Sequence, residues 1–281
     1  MKNIFVVGSG IMGSGVAQVC TQSGYGVSLM DTNKKALGKA LKKIEWSLNK
    51  LEKKNLLDEK AVDILSRLNT TDSLEKAENA DIVLEAAVED VKTKHTVFED
   101  LEHICRPDTI FGTNTSSIPI TEIASILKNP ERFVGIHFFN PVHRMKLVEI
   151  IKGLATSNNT VERVKNFVLA IGKEPVMVNR DQAGFIVNRI NGMAFLEALR
   201  LLEKGVASVE DIDKAMRLGL GNPMGPFQLM DLVGLDVVLN ARMGIYNETR
   251  EPNHFPPSIL RNMVKAGYLG RKTGKGFYEY K

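Results

Sequence analysis

The first two-thirds of the chain alternate short apolar runs with stretches of helical periodicity. Residues 3–7, 26–30 and 80–88 have the length and the aliphatic content of buried strands. Residues 34–54 and 92–104 carry apolar side chains at the three- and four-residue spacing of amphipathic helices. This alternation predicts a mostly parallel, doubly wound sheet with helices on both faces.

The pattern changes near residues 182–186, where strand signals end and helical periodicity continues to the C-terminus. Within this second part, Ser208 and Asp211 have the spacing of a helix capping box. We therefore predict an α/β protein of two domains, a sheet domain over residues 1–183 and an all-helical domain over residues 184–281.

Composition and charge exclude several classes of function. The 37 basic residues nearly match the 33 acidic ones, which argues against a nucleic-acid-binding protein. Cys20 and Cys105 stand in no ligand spacing, so we expect no metal site, no disulfide framework and a reducing compartment. No apolar run approaches the roughly 18 residues of a membrane helix. Without a secretion signal in the sequence, we expect a cytoplasmic protein.

A glycine-rich turn follows the first predicted strand and opens the first predicted helix. Gly8, Gly10 and Gly13 form a G-x-G-x-x-G pattern, and Ile11 and Met12 lie inside it. In this context the glycines let the backbone approach a pyrophosphate, which rests at the positive N-terminus of the helix. We predict that these five residues bind a dinucleotide, as in a Rossmann-type domain.

An acidic residue, Asp31, ends the second predicted strand. A carboxylate at this position accepts hydrogen bonds from the adenosine ribose and repels a 2′-phosphate. The sequence therefore predicts NAD rather than NADP as the cofactor, although Lys34 is a nearby cation that opposes this preference.

The helix predicted over residues 34–54 has two distinct faces. Its predicted core face spans an arc of about 80° and contains Leu37, Leu41, Ile44, Leu48 and Leu51. Seven lysines lie opposite, together with Trp46. Two interpretations remain open, a solvated helix face or an anion-binding patch for a phosphate-rich part of a substrate.

Polar side chains at the ends of later strands suggest acid–base chemistry. Asn114, Ser116 and Ser117 follow one strand, at the edge where doubly wound sheets bind ligands. His137 and Glu149 lie in two successive predicted strands, and the pairing of those strands would bring them together. The carboxylate would then orient the imidazole as a general base.

The alternative is a core histidine bonded to a structural glutamate, and the nearby dinucleotide site favours the base. The remaining histidines are expected to be surface or capping residues: His95, His103, His143 and His254.

At the level of motifs, the whole chain resembles the L-3-hydroxyacyl-CoA dehydrogenases, and among them the bacterial 3-hydroxybutyryl-CoA dehydrogenases. The resemblance rests on seven motifs in their order along the chain: GSGIMGSG, NTSS, GIHFFNPV, KLVEII, GFIVNR, NPMGPFQLMDLVGLD and KTGKGFYEY. It implies hydride transfer between NAD(H) and a short-chain acyl-CoA, (S)-3-hydroxybutyryl-CoA or acetoacetyl-CoA. It also implies a homodimer formed through the helical domain.

The resemblance further implies roles for individual residues. His137 is the general acid or base and Glu149 its partner, while Ser116 and Asn188 hydrogen-bond the substrate or the catalytic centre. The implied NAD contacts are Asp31, Glu89, Lys94, Ser116, Asn140 and Lys272. The implied CoA contacts are Ser47, Lys54 and Ser116, with Lys50 beside them. These contacts favour the anion-binding interpretation of the lysine helix.

Two other readings compete with this one. The first is a related two-domain dehydrogenase of a sugar acid, which has a similar motif at residues 137–141. The lysine helix argues against it, because a sugar acid has no distant phosphate. The second is a non-catalytic protein that keeps the NAD-binding fold, and the complete set of Ser116, His137, Glu149 and Asn188 argues against that. Oxidation in fatty-acid breakdown and reduction in butyrate fermentation are both compatible directions.

Overall fold

A computed structural model describes residues 1–280 of the chain. It divides the chain into two compact units, one over Met1–Gln182 and a second that begins at Ala183. The first contains a sheet with helices, and the second is helical. The α/β fold class predicted from the alternating pattern is confirmed.

The first unit is built on one eight-stranded sheet. Its strands are β1 (Asn3–Val7), β2 (Gly26–Met30), β3 (Leu68–Thr71), β4 (Ile82–Glu85), β5 (Ile110–Thr113), β6 (Phe133–Phe138), β7 (Leu147–Ile151) and β8 (Glu174–Val178). They are arranged in the order β3-β2-β1-β4-β5-β6-β7-β8. All neighbouring pairs are parallel except β6 and β7, which are antiparallel. The order reverses beside β1, so the crevice for a ligand lies at the carboxyl ends of β1 and β4.

Six α-helices and two 3-10 helices connect these strands. The α-helices are α1 (Ile11–Gln22), α2 (Lys34–Glu52), α3 (Ala61–Leu65), α4 (Val91–Ile104), α5 (Ile120–Ala124) and α6 (Asn158–Ala170). The 3-10 helices are Leu74–Ala77 and Pro130–Arg132. Strands β4 and β6 are buried at every position, which is the usual state of central strands covered on both faces.

Strand β3 was not predicted. Its sequence, Leu-Asn-Thr-Thr, has one apolar residue, and only Leu68 is buried. The strand pairs with β2 at the edge of the sheet. An edge strand of this length needs no apolar alternation, so the hydrophobic pattern contained no signal for it.

Helix α2 begins after Asn33, whose side chain accepts hydrogen bonds from the backbone N–H groups of Lys35 and Ala36.

The predicted core face of α2 was wrong at Leu41, which is 37% exposed. Ala40 is buried instead, together with Leu37, Ile44 and Leu48. The buried arc is therefore rotated toward Ala40, because α2 packs against α1 and α3.

Over its described residues, 183–280, the second unit consists of five α-helices and two short 3-10 helices. The α-helices are α7 (Val187–Glu203), α8 (Val209–Leu220), α9 (Pro226–Val233), α10 (Leu235–Thr249) and α11 (Ser258–Lys265), and the 3-10 helices are Pro252–His254 and Arg271–Thr273. Its core contains Leu196, Leu199, Phe227 and Met230. The predicted cap of α8 is confirmed, since the backbone N–H of Asp211 donates to Ser208 Oγ at 3.1 Å. Within residues 1–280, no helix combines the length and apolar character needed to cross a membrane.

Candidate active site

The glycine-rich turn has a geometry that requires glycine at two positions. Gly8 has a φ of +96°, and a Cβ there would lie 2.6 Å from the carbonyl oxygen of Ala86. A Cβ on Gly13 would overlap the carbonyl oxygen of Gly8. A Cβ on Gly10, in contrast, would meet no described atom within 4 Å. The turn is therefore tightly packed toward the sheet and open on its other side.

The open side of this turn fits a pyrophosphate. Gly10 is the N-cap of α1, and within the described chain no side chain caps that helix. The first N–H groups of a helix, and the positive end of its dipole, bind anions when no side chain occupies them. Gly8, Gly10, Ile11, Met12 and Gly13 thus form a site suited to the phosphates of NAD.

Asp31 lies beside this turn, just beyond the end of β2. Its Oδ2 accepts hydrogen bonds from Ser9 N–H at 2.8 Å and Ser9 Oγ at 2.7 Å, and its Oδ1 accepts one from Asn33 N–H at 2.9 Å. Burial raises the pKa of Asp31, but the bonds from Asn33 and Ser9 outweigh burial, and the pKa lies below its usual value. Lys34 forms an ion pair with Asp72 at 2.9 Å, so the Asp72 carboxylate partly neutralises its positive charge. The carboxylate of Asp31 thus remains charged at neutral pH.

A buried ion pair lies at the carboxyl end of β4. Lys94 is 1% exposed, and its Nζ lies 2.7 and 2.9 Å from the two carboxylate oxygens of Glu85. Thr113 Oγ1 donates to Glu85 at 2.6 Å, and Glu89 lies 3.4 Å from the same ammonium. The ammonium of Lys94, an expected NAD contact, is thus enclosed by two carboxylates. Glu85 and Thr113 were not identified from the sequence, where the only signal was a charged residue ending an apolar run.

Glu89 holds the loop that follows β5. Its Oε1 accepts hydrogen bonds from Thr115 Oγ1 at 2.6 Å, Ser116 N–H at 3.0 Å and Ser117 Oγ at 3.0 Å. Burial raises the pKa of Glu89, but Lys94 and these hydrogen bonds together lower it below its usual value. An ionised Glu89 therefore fixes Ser116, which the resemblance places in contact with both cofactor and substrate.

His137 and Glu149 are direct partners in the antiparallel pairing of β6 and β7. His137 Nδ1 lies 2.8 Å from Glu149 Oε2, and the two residues are 5% and 0% exposed. A carboxylate only accepts hydrogen bonds, so Nδ1 carries the proton of this bond. The Phe139 ring packs against the imidazole, with centroids 4.6 Å apart. The predicted meeting of the two side chains is confirmed.

The lysine helix borders a groove of the first unit with a volume of about 560 Å³. Ser47, Lys50 and Lys54, the expected CoA contacts, all line this groove, as does Asn140, an expected NAD contact. Trp46 also lines it and is 64% exposed, with Lys50 Nζ 4.8 Å from its ring centroid. One side of the lysine helix is thus part of a concave surface.

Two predicted site residues belong to the helical unit. Asn188 lies in the first turn of α7, and its carbonyl accepts a hydrogen bond from the Arg242 guanidinium at 2.9 Å. Lys272 lies in the 3-10 helix Arg271–Thr273 and forms an ion pair with Asp236. This pairing lowers the pKa of Asp236.

The expectation for His254 was wrong. It is 3% exposed, and its Nε2 lies 3.0 Å from Glu251, so it is a core residue of the helical unit and not a surface residue. Its sequence surroundings are polar and proline-rich, and its burial depends on helices distant in sequence. His103 and His143 are exposed, as expected.

Comparison with known proteins identifies the family. The family model "3-hydroxyacyl-CoA dehydrogenase, NAD binding domain" matches residues 3–182, and "3-hydroxyacyl-CoA dehydrogenase, C-terminal domain" matches residues 184–280. The chain belongs to the 3-hydroxyacyl-CoA dehydrogenase family. It is therefore an NAD-dependent oxidoreductase, and the cofactor predicted from the glycine turn and Asp31 is confirmed.

Similar proteins in this family come from several bacteria. A probable 3-hydroxybutyryl-CoA dehydrogenase of Bacillus subtilis (strain 168) is 42% identical over 281 residues, covering 100% of this chain and 98% of the relative. A 3-hydroxybutyryl-CoA dehydrogenase of Clostridioides difficile is 44% identical, covering 98% of each chain. The crystal structure of (S)-3-hydroxybutyryl-CoA dehydrogenase PaaH1 from Ralstonia eutropha has a TM-score of 0.96 and 40% identity, covering 100% of this chain and 99% of that one.

Replacing Lys94 by methionine should destabilise the protein by about 3–5 kcal/mol, because the substitution leaves the buried Glu85 carboxylate without its cation. The free energy of unfolding, measured by urea denaturation, tests this. Lys92→Met is the matched control, since Lys92 is exposed on the same helix. Equal stability of the two variants would contradict the importance of the buried pair.

Replacing Asp31 by asparagine should narrow the preference for NADH over NADPH by about tenfold, because it removes the charge that repels a 2′-phosphate. Kd values for both cofactors, measured by nucleotide fluorescence, test this. Asp58→Asn, at an exposed position, serves as the control. An unchanged ratio of the two Kd values would show that another group selects the cofactor.

Proposed function

We propose that the protein interconverts (S)-3-hydroxybutyryl-CoA and acetoacetyl-CoA, with His137 as general acid and base and Glu149 as its partner. The observation that carries this proposal is the buried 2.8 Å contact between the two side chains in an NAD-binding unit. NAD, held by the glycine turn and Asp31, would supply hydride transfer to and from C3 of the substrate.

Glu149 gives His137 its orientation. The carboxylate accepts the Nδ1 proton, which selects one tautomer and stabilises the charged ring. Proton exchange with the substrate is assigned to Nε2, the ring nitrogen that does not contact Glu149. In oxidation, Nε2 takes the proton of the 3-hydroxyl group. In reduction, the protonated ring donates a proton to the oxygen that develops negative charge on C3.

Other residues would orient the reactants. Ser116 is held by Glu89, and Asn188 is held by Arg242, so each is a preorganised donor or acceptor for the substrate. We assign residues 1–183 to NAD binding and residues 184–281 to substrate binding and dimerisation. Asn140 and Lys272 remain proposed NAD contacts. Lys94, being buried, would act on the cofactor site through Glu89.

The groove along α2 supports a CoA thioester over a sugar acid. Ser47, Lys50 and Lys54 line this groove, and CoA carries a pyrophosphate and a 3′-phosphate that cations bind. A sugar acid has a single carboxylate and would leave these lysines without a ligand. The short acyl chain is proposed from the named activities of the relatives.

The wild-type protein should oxidise NADH rapidly with acetoacetyl-CoA, and NADPH slowly. His137→Gln should lower kcat by about 10²- to 10⁴-fold, since it removes the group that transfers the proton. Glu149→Gln should also lower kcat strongly, and neither variant should change the Kd of NADH by much. Initial rates of NADH absorbance loss test this.

His103→Gln is the control for this experiment. His103 is exposed, and no role in the site is predicted for it. Wild-type turnover by a folded His137→Gln variant would overturn the assignment. Turnover of a sugar acid in place of acetoacetyl-CoA would support the rival dehydrogenase.

We also propose a homodimer formed through the helical unit. Several large apolar side chains of this unit are strongly exposed: Ile190 at 69%, Val206 at 64%, Leu218 at 74% and Leu220 at 70%. Exposed apolar side chains of this size are available for burial in a protein interface. Light scattering should give twice the monomer mass, and Leu218→Glu combined with Leu220→Glu should shift the mass toward the monomer. A monomeric wild-type protein would contradict the proposal.

A further inference from the structure

The groove along α2 has a second wall with charges of its own. This wall is the loop that follows β6, and it contributes Pro141, Val142, His143 and Arg144 to the lining. Across the whole lining, five side chains are basic: Lys43, Lys50, Lys54, His143 and Arg144. Among the lining residues that the structure describes, none is acidic. A concave surface with one sign of charge concentrates ligands of the opposite sign.

A buried lysine fixes this second wall. Lys173 is 7% exposed, and its Nζ donates to the carbonyl oxygens of Val142 at 2.6 Å and Met145 at 2.8 Å. Val142 also packs against α1, where a Cβ on Gly15 would lie 2.9 Å from its side chain. The loop is therefore attached to the unit on both sides of Arg144.

The basic groups of the two walls are close enough to affect one another. Although His143 is exposed, loss of hydration by its ring is the first cause that lowers its pKa, followed by the charges of Arg144, Lys173 and Lys43. Lys43 belongs to α2 and Arg144 to the loop, so cations from both walls act on the same imidazole. A bound anion would relieve this repulsion.

We propose that Arg144 and Lys43 bind phosphate groups at the nucleotide end of CoA, with the loop as the second wall of the binding groove. The proposal rests on the proposed function, because it takes the substrate to be a CoA thioester. The guanidinium of Arg144 presents paired donors that match phosphate oxygens, and it stays charged at any pH of interest. The groove, at about 560 Å³, is much larger than one phosphate group and suits a nucleotide.

The groove also contains an intrinsic fluorophore. Trp46 is the single tryptophan of the chain, it lines the groove and it is 64% exposed. An exposed aromatic ring beside phosphate-binding cations offers a stacking surface for adenine. Because no other tryptophan contributes, a change in tryptophan fluorescence on adding CoA reports directly on this groove.

The test measures binding of CoA without turnover. Titrations with CoA and with dephospho-CoA, which lacks the 3′-phosphate, are followed by Trp46 fluorescence and by calorimetry. Arg144→Gln should raise the Kd of CoA by about five- to tenfold, and Lys43→Gln should raise it by about threefold. Both variants should also weaken the dependence of Kd on salt concentration.

Two neighbouring lysines provide matched controls. Lys146 lies on the same loop and Lys42 on the same helix, and both are exposed but outside the groove lining. Lys146→Gln and Lys42→Gln remove the same charge and should leave the Kd of CoA unchanged. If the Kd of CoA is the same for Arg144→Gln and Lys146→Gln, the proposed role of Arg144 is wrong. A wild-type protein that shows neither a fluorescence change nor heat with CoA would also contradict the proposal.

The two ligands identify the phosphate that is bound. A loss confined to CoA supports a contact with the 3′-phosphate, and an equal loss for dephospho-CoA supports a contact with the pyrophosphate. Failure of the proposed reaction is distinguishable with acetoacetyl-pantetheine, which lacks the nucleotide. If the wild-type protein reduces this compound but Arg144→Gln does not weaken CoA binding, the reaction stands and the second wall fails. If the wild-type protein reduces neither acetoacetyl-pantetheine nor acetoacetyl-CoA, the proposed function itself fails.

Discussion

The antiparallel pairing of β6 with β7 is the constraint on which the site depends. Side chains alternate between the two faces of a strand, so a shift of one residue in this pairing would place Glu149 on the face opposite to His137. Every position of β6 is buried, so a shifted register would disturb the side-chain packing on both faces of the strand. The buried carboxylate also needs its donor, because an ionised group without a partner is costly in the interior. Packing and chemistry therefore favour the same register.

Buried charges fix the loops around this pair. The loops after β4 and β5 contain few large apolar side chains, and Glu85, Lys94 and Glu89 connect them by charge-assisted hydrogen bonds. Such bonds are short and directional, so they define the position of a loop better than apolar contacts do. The cost of burying the Lys94 ammonium is offset because the carboxylates of Glu85 and Glu89 both lie beside it. The result is a fixed Ser116 at the edge of the sheet.

The lysine helix shows the same link between stability and function. Like charges one turn apart, such as Lys50 and Lys54, oppose helix formation by a few tenths of a kcal/mol per pair. Burial of Leu37, Ile44 and Leu48 in the core of the first unit outweighs this repulsion. A helix held by its apolar face can therefore keep an uncompensated positive surface. That surface meets the loop carrying Arg144 and forms one basic groove.

The sequence by itself determined the features that a single element carries. The glycine turn with Asp31, the strand–helix alternation and the change to helices after residues 182–186 are local patterns, and so is the order of the family motifs. The meeting of His137 and Glu149 followed as well, because two strands joined by a short connection pair as neighbours. Only the tertiary structure decided that Lys94 pairs with Glu85, that Lys173 binds the loop carbonyls, and that His254 is buried. It also decided that Ala40 and not Leu41 is buried. Periodicity describes one element's own face, whereas these contacts depend on which distant element covers that face.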